Sequence, residues 1–286
     1  MLRAILKSLR TGVVTTDYPD VVSTPPLGFR GAVELRPGAR FAALPPPAIC
    51  PVGAISAEPA EAGGRYAVDL GLCVFCGRCA APALDSAIEL GREFELAARH
   101  RADLVVEIRD DGEGRAVRER GAGEAAQTAS DAVAATIGRT LGRSLHLRHL
   151  DAGSCNACDW ELTALLNPVY DVRRLGIDFV ASPRHADGVI VTGPVTRNLE
   201  LAVRRTWEAV PEPRIVIAVG ACAVSGGIAG RSYASLGGVA EVLQVDVFVP
   251  GCPPRPEAII FGILTALGRR IERVTQPQKV SARPPS

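Results

Sequence analysis

The chain has 286 residues, enough for one large or two ordinary domains, with 32 basic side chains against 31 acidic ones. That near balance leaves no basic face to advertise nucleic acid. No apolar run reaches the roughly 18 residues of a membrane-spanning helix, and the best, Ala258 to Leu267, is too short.

Eight cysteines are present, with the spacings of ligands. Met1 to Arg10 has no continuous apolar core, so a secretory signal is not expected, although a short surface helix is compatible. Both points favour a reducing compartment and thiolate–metal chemistry over a disulfide framework. Residues 1–27, with Tyr18-Pro19 and Pro25-Pro26, read as an extended arm lying on a partner or on the body.

Residues 28–100 contain two related stretches. One reads Cys73-Val74-Phe75-Cys76-Gly77-Arg78-Cys79, then Ala83-Leu84-Asp85-Ser86-Ala87-Ile88; the other ends Cys50-Pro51-Val52-Gly53-Ala54-Ile55. Aligning Ala54-Ile55 on Ala87-Ile88 sets Cys50 against Ala83, and Cys73, Cys76 and Cys79 against Arg40, Ala43 and Pro46. The pattern resembles bacterial two-cluster ferredoxins over roughly residues 28–96. In that family the fourth cysteine of one copy ligates the cluster of the other. The resemblance implies one [4Fe-4S] cluster on Cys50, Cys73, Cys76 and Cys79, the other site having been lost as a unit. Four-cysteine zinc is the alternative for paired cysteines two apart, but three such cysteines with a remote Cys-Pro suit a cubane better. Phe75 and Ile55 are expected to shield the site, and Arg78 to lie in solvent.

Residues 101–144 read as a connector. Ala102 to Ile108 alternates weakly as a strand, Asp110 to Gly114 is a turn, and Arg115 to Gly123 is charged and mobile. Ala125 to Leu141 is a helix capped by Thr128 or Ser130. His146 and His149 follow, either as surface or packed side chains or as a proton relay beside a redox centre.

Residues 145–272 form a second domain, and residues 273–286, with Pro277, Pro284 and Pro285, a disordered tail. Helices are predicted at Trp160–Leu166, Asn198–Val210 and Pro256–Arg270. Strands are predicted at Ile177–Ala181, Gly188–Thr192, Arg214–Val219 and Val245–Val249. Apolar runs alternating with helices predict an α/β fold, a flavodoxin-like parallel sheet with helices on both faces, preceded by a small α+β ferredoxin-like domain. Cys155 and Cys158 sit in a loop with two residues between them. Gly220-Ala221-Cys222 and Pro250-Gly251-Cys252 each follow a β-branched run. Sites in such sheets form beyond the carboxyl ends of the strands, so these four cysteines are expected to converge as ligands of one iron–sulfur cluster. Gly226 to Gly230 lacks the lysine of a phosphate loop and reads as a flexible cover docking on a partner.

The segments Gly153-Ser154-Cys155-Asn156-Ala157-Cys158-Asp159-Trp160-Glu161, Pro183-Arg184-His185-Ala186-Asp187, Val191-Thr192-Gly193-Pro194-Val195-Thr196, Gly220-Ala221-Cys222 and Pro250-Gly251-Cys252-Pro253-Pro254 together resemble one family. It is the small subunit of membrane-associated, formate-hydrogenlyase-type energy-converting [NiFe] hydrogenases, homologous to the B subunit of complex I. The resemblance covers about residues 144–270. Complex I B subunits carry adjacent cysteines at the first position, whereas Cys155 and Cys158 have the hydrogenase spacing. The family has its ferredoxin on a separate polypeptide, and here the two modules lie in one chain.

The resemblance implies that Cys155, Cys158, Cys222 and Cys252 hold a proximal [4Fe-4S] cluster, giving two clusters in all. It further implies a hydrogenase large subunit or complex I D-like subunit as partner, with other iron–sulfur or membrane subunits alongside. The chain would lie peripherally on the cytoplasmic side of the cell membrane. It would be an electron-transfer subunit of an oxidoreductase complex and not catalytic alone. The alternative is an equivalent wire in a complex I-like complex that reduces quinone or another acceptor without H2 chemistry; a third reading is a structural zinc or redox-sensing module. Glu161, one helical turn after Cys158, serves either in proton transfer at the subunit interface or as a helix N-terminal charge. Asp159 reads as an N-terminal helix charge, Arg184 and His185 as residues lining the subunit contact, and Arg255 as lying near the cluster or in solvent.

Overall fold

The computed structural model describes residues 3, 7, 10–58, 64–81, 85–120 and 144–268. The helix expected over Ala125 to Leu141, the tail from 273, Ala83 and most of Met1 to Arg10 lie outside the described residues.

Among the described residues, the amino-terminal half carries six strands: β1 (Val33–Leu35), β2 (Ile55–Glu58), β3 (Arg65–Asp69), β4 (Ile88–Leu90), β5 (Val105–Asp110) and β6 (Ala116–Arg120). β1 and β4 form an antiparallel pair, and the others a four-stranded antiparallel sheet in the order β2-β3-β5-β6. The helical pieces between them are single 3₁₀ turns, including Pro47–Ile49 before Cys50 and Arg78–Ala80 around Cys79.

Two sequence expectations change here. The strand expected from Ala102 starts at Val105, because Arg101–Leu104 closes a 3₁₀ turn. The stretch from Arg115, expected to be mobile, instead contributes β6, paired antiparallel with β5. The turn between them is fixed by carboxylates: Asp110 accepts the amides of Gly112 and Gly114, and Asp111 those of Glu113 and Arg115. β6 hid in the sequence because it is a charged edge strand, a composition that discourages pairing with other chains. Residues 101–120 thus complete the sheet that begins at β2.

The arm lies on the body. The Thr16 amide donates to the Val169 carbonyl at 2.8 Å, and Arg174 donates to the carbonyls of Thr16 and Tyr18. Tyr18 is 1% exposed and its hydroxyl meets Glu95 at 3.0 Å.

The carboxyl half is built on β7 (Leu145–Asp151), β8 (Ile177–Phe179), β9 (Gly188–Thr192), β10 (Ile215–Val219) and β11 (Val247–Val249). All neighbours are parallel, in the order β11-β10-β9-β7-β8. Counted within this half, that is the flavodoxin-like order 2-1-3-4-5, whose switch point falls between β7 and β9. Among the described residues four helices cover the sheet: α1 (Ala157–Ala164), α2 (Glu200–Glu208), α3 (Gly220–Ser225) and α4 (Pro256–Ala266). Strand alternation divides the core. Val189, Val191, Val216 and Ala218 pack toward Val203 of α2 and Ala223 of α3. Ile190, Ile215, Ile217 and Val219 pack toward Leu162 of α1 and Ile259, Ile260 and Ile263 of α4. The sheet is therefore covered on both faces.

The halves share both cores. Phe94 and Tyr18 pack in the layer that holds Cys158 and α4. Ala98 exchanges both backbone hydrogen bonds with Phe248, closing the edge that β11 would otherwise expose.

Candidate metal centres

The first four cysteines come together through three short loops. Cys50 ends the 3₁₀ turn Pro47–Ile49 just before β2, Cys73 and Cys76 lie in the loop after β3, and Cys79 sits in the turn that follows Gly77. All four line one enclosed pocket whose walls are otherwise almost wholly apolar, with Val33, Ile55, Val68, Val74 and Phe75 among them. Ile55 and Phe75 thus lie where shielding was expected, and Arg78 is exposed. Backbone amides point at sulfur: Ala54 N–H donates to Cys50 Sγ at 3.2 Å and Phe75 N–H to Cys73 Sγ at 3.3 Å. Phe75 takes φ +51°, a left-handed conformation that only specific surroundings hold in a non-glycine residue. Burial, and then the neighbouring thiolates, push the Cys73 thiol up to about 12 and raise Cys79. Four thiolates in an apolar pocket repel one another, so the pocket favours a positively charged core that would stabilise them all.

The second four come from the carboxyl ends of three strands. Cys155 and Cys158 follow β7 at the switch point, Cys222 follows β10 and Cys252 follows β11. Cys158, expected in a loop, lies in the first turn of α1, and Cys222 lies inside the short helix α3. The Ala221 amide donates to the Gly251 carbonyl at 2.7 Å, which ties the Cys222 and Cys252 segments together. Gly220 has φ +88°, and a Cβ on it would lie 2.5 Å from Cys158 Sγ. Burial raises the thiol of Cys158, and Cys222, Cys252 and Cys155 raise it further. Cys222 and Cys252 are raised for the same two reasons.

Beneath this loop lies a polar network. Asp159 accepts from the Ser154 hydroxyl at 2.7 Å and from the Thr192 hydroxyl at 2.6 Å, and its Oδ1 is 3.1 Å from His149 Nε2. Asp159 is thus more than the expected helix charge. His149 is partly buried in this network, and desolvation lowers its pKa. His146 lies at the opposite end of β7, paired with Asp187. Arg184 and His185 are exposed in a 3₁₀ turn leading into the amino end of β9, remote from the cysteine ends of the strands. Gly226 and Gly227 pack on Cys222, while Ile228 projects into solvent.

Glu161 is half-buried in α1. Its carboxyl is raised by desolvation and by Glu257, with Arg255 opposing. Arg255, left open between cluster and solvent, is mostly buried and doubly paired with Glu257 at 2.6 and 2.8 Å. Sequence reasoning missed Glu257, which is 2% exposed. The one available signal was an acid two residues after an arginine at the start of an otherwise apolar helix.

Between the two cysteine sets runs a cleft of about 360 Å³. Phe75 lines both this cleft and the first pocket, and Cys252 of the second set opens onto the same cleft. Among the described residues no three His, Cys, Asp or Glu side chains converge tightly enough for a single metal ion. Each set brings four sulfurs close together, and all-sulfur donors fit an iron–sulfur cluster; the first set adds an apolar pocket with amides pointing at sulfur.

Residues 155–266 match the family described as the 20 kDa subunit of NADH ubiquinone oxidoreductase. A probable membrane-bound hydrogenase subunit of Pyrococcus furiosus is 47% identical over 133 residues, covering 46% of this chain and 80% of that one. Formate hydrogenlyase subunit 7 of Escherichia coli is 42% identical over 151 residues, 53% of this chain and 57% of that one. An NADH-quinone oxidoreductase subunit of Geotalea daltonii is 48% identical over 107 residues, 37% of this chain and 62% of that one. With a flavodoxin-like sheet carrying four cysteines at its strand ends, and a relative matched over most of its length, the chain belongs to the NADH ubiquinone oxidoreductase 20 kDa subunit family.

Proposed function

We propose that this protein is the electron-transfer subunit of a membrane-associated [NiFe]-hydrogenase-type complex, carrying electrons through two [4Fe-4S] clusters to or from a large-subunit active site. The observation that carries this reading is the shared cleft: Phe75 stands in the wall of the first cysteine pocket, and Cys252 of the second set faces the same space. Cys50, Cys73, Cys76 and Cys79 would hold one cluster, and Cys155, Cys158, Cys222 and Cys252 the other. Bound there, each would supply one-electron chemistry.

The protein's own contribution is placement and surroundings. Apolar walls surround the first set, leaving Cys76 toward solvent, and the Ala54 and Phe75 amides donate to two of its sulfurs. Trp160, 74% exposed beside Cys158, and Ile228, 78% exposed beyond Cys222, support a partner subunit over the second set. No described helix is long and apolar enough to cross a membrane, so attachment would run through other subunits. Glu161 we assign to proton transfer at that interface, on its half-burial one turn from Cys158 and its raised carboxyl. The two residues between Cys155 and Cys158 favour the hydrogenase-type complex over the quinone-reducing alternative.

The test is anaerobic iron and acid-labile sulfide analysis with EPR on the purified protein and on Cys76→Ser and Cys222→Ser. We expect iron and sulfide for two four-iron clusters, with each substitution abolishing a different EPR signal. Zinc without labile sulfide, or a single cluster indifferent to Cys76→Ser, would overturn the reading.

A further inference from the structure

One side chain that belongs to neither cysteine set lines the cleft between them and joins its walls. Arg255 follows Cys252 by three residues, with two prolines intervening. Its guanidinium lies over the ring of Phe94 at 4.6 Å and of Phe29 at 5.5 Å, and both rings come from the amino-terminal half. Its edge is doubly paired with Glu257 at the start of α4. The arm joins at the same point: Ser23 Oγ donates to Glu257 at 3.0 Å, and Arg255 reaches Ser23 at 3.3 Å. Tyr18 backs Phe94 with ring centroids 6.0 Å apart. Three separated pieces of chain therefore meet on one planar cation, beside Cys252 and across the cleft from Phe75.

We propose that Arg255 is a positioning residue that fixes the distance and orientation of the two cysteine sets, and so the electronic contact between the clusters they hold. The proposal rests on the two-cluster reading above. A planar guanidinium suits the role because it can stack on aromatic faces while its edge makes a bidentate carboxylate pair. A lysine would keep the charge and lose both geometries. Among the described residues, no other cation stacks on Phe29 and Phe94. Small displacements matter here because transfer between fixed centres depends steeply on their separation and orientation.

The experiment uses the full chain with its clusters loaded, as wild type, Arg255→Gln, Arg255→Lys and Phe94→Leu. Iron and sulfide count the clusters. EPR of the fully reduced protein reads the magnetic interaction between them, and rapid mixing with a reductant followed by freeze-quench EPR reads the transfer between them. We expect Arg255→Gln to keep both clusters, lose the interaction and slow the transfer, with Arg255→Lys intermediate. Phe94→Leu removes a platform while sparing the ion pair, and should weaken the interaction with the cluster content unchanged. Arg255→Gln also strips buried Glu257 of its counter-charge; if that variant loses the second cluster, Phe94→Leu decides. Both clusters present with interaction and transfer unchanged, in Arg255→Gln or in that deciding variant, would overturn the positioning role alone. A wild-type protein with a single cluster would instead sink the two-cluster reading, and the positioning role with it.

Discussion

Gly220 shows how narrowly the second cysteine set is specified at the level of single atoms. Its φ of +88° is a conformation that costs an L-residue roughly 1–2 kcal/mol. The larger obstacle is space, since an added Cβ would lie 2.5 Å from Cys158 Sγ. Gly220→Ala is expected to displace Cys158 or the β10–α3 turn, abolishing the EPR signal assigned to the second set and leaving that of the first; retention of both signals would show that the turn can yield. Glu161 supports a second prediction. Burial and Glu257 raise its carboxyl in the folded protein. The sign follows: the neutral group's contribution to stability is complete below the ordinary glutamate value of about 4.3 and is lost as pH rises through the higher folded value. Glu161→Gln cannot ionise, so its thermal midpoint should gain on that of the wild type as pH rises from the acid side of the carboxylate range toward neutrality. Parallel midpoints across that range would remove the perturbed carboxyl, and with it the support for proton transfer there. The gathering of the eight cysteines into two sets was legible because short cysteine spacings survive in a linear sequence. The triple engagement of Asp159 was not, since its partners Ser154, Thr192 and His149 come from the cluster loop, β9 and β7.

The elements separate into those whose burial writes a pattern and those whose position does not. β9 and β10 are buried on both faces and read as unbroken apolar runs, Gly188–Thr192 and Ile215–Val219, recognisable within a residue. β7 sits between β8 and β9 at the switch point, yet its sequence mixes buried Leu145 and Leu147 with His146, Arg148 and His149. His149 serves the polar network at the site end and His146 faces Asp187 at the opposite end, so the strand's central place left no apolar signature and only the domain's start was read there. β6 failed for the opposite reason, its charges belonging to an exposed edge. The helix ends also follow context. α4 stops at Ala266 rather than Arg270, and the side chain of Arg99 from the other half reaches the carbonyls of Thr265 and Ala266. A cation at a helix carboxyl terminus satisfies free acceptors and complements the dipole. No local pattern could announce that cap, since it lies more than 160 positions away.

Across the whole molecule, the two halves behave as one folding unit if their contacts carry structural weight, and the arm tests this. Tyr18 comes from the stretch read as an arm lying on a partner or on the body, and it is 1% exposed in the layer that contains Phe94, Cys158, Leu162 and α4. Its ring backs the platform for Arg255, its hydroxyl meets Glu95, and its carbonyl accepts from Arg174. Truncating a buried aromatic costs about 3–5 kcal/mol when the site cannot collapse. A loss of that size is a large part of the stability of an ordinary domain. If the halves fold together, Tyr18→Ala should lower the denaturant midpoint of the entire chain in one transition, monitored together by far-UV circular dichroism and by the visible absorption of both cluster sites. If the arm merely rests on the surface, the midpoint should hold. If the halves are independent, the signal of the second set should shift and that of the first should not. A common shift is the expected outcome, because Tyr18 and Phe94 pack in the layer under the second cysteine set, Ala98 pairs with Phe248 of β11 in the opposite layer, and Arg99 reaches the end of α4.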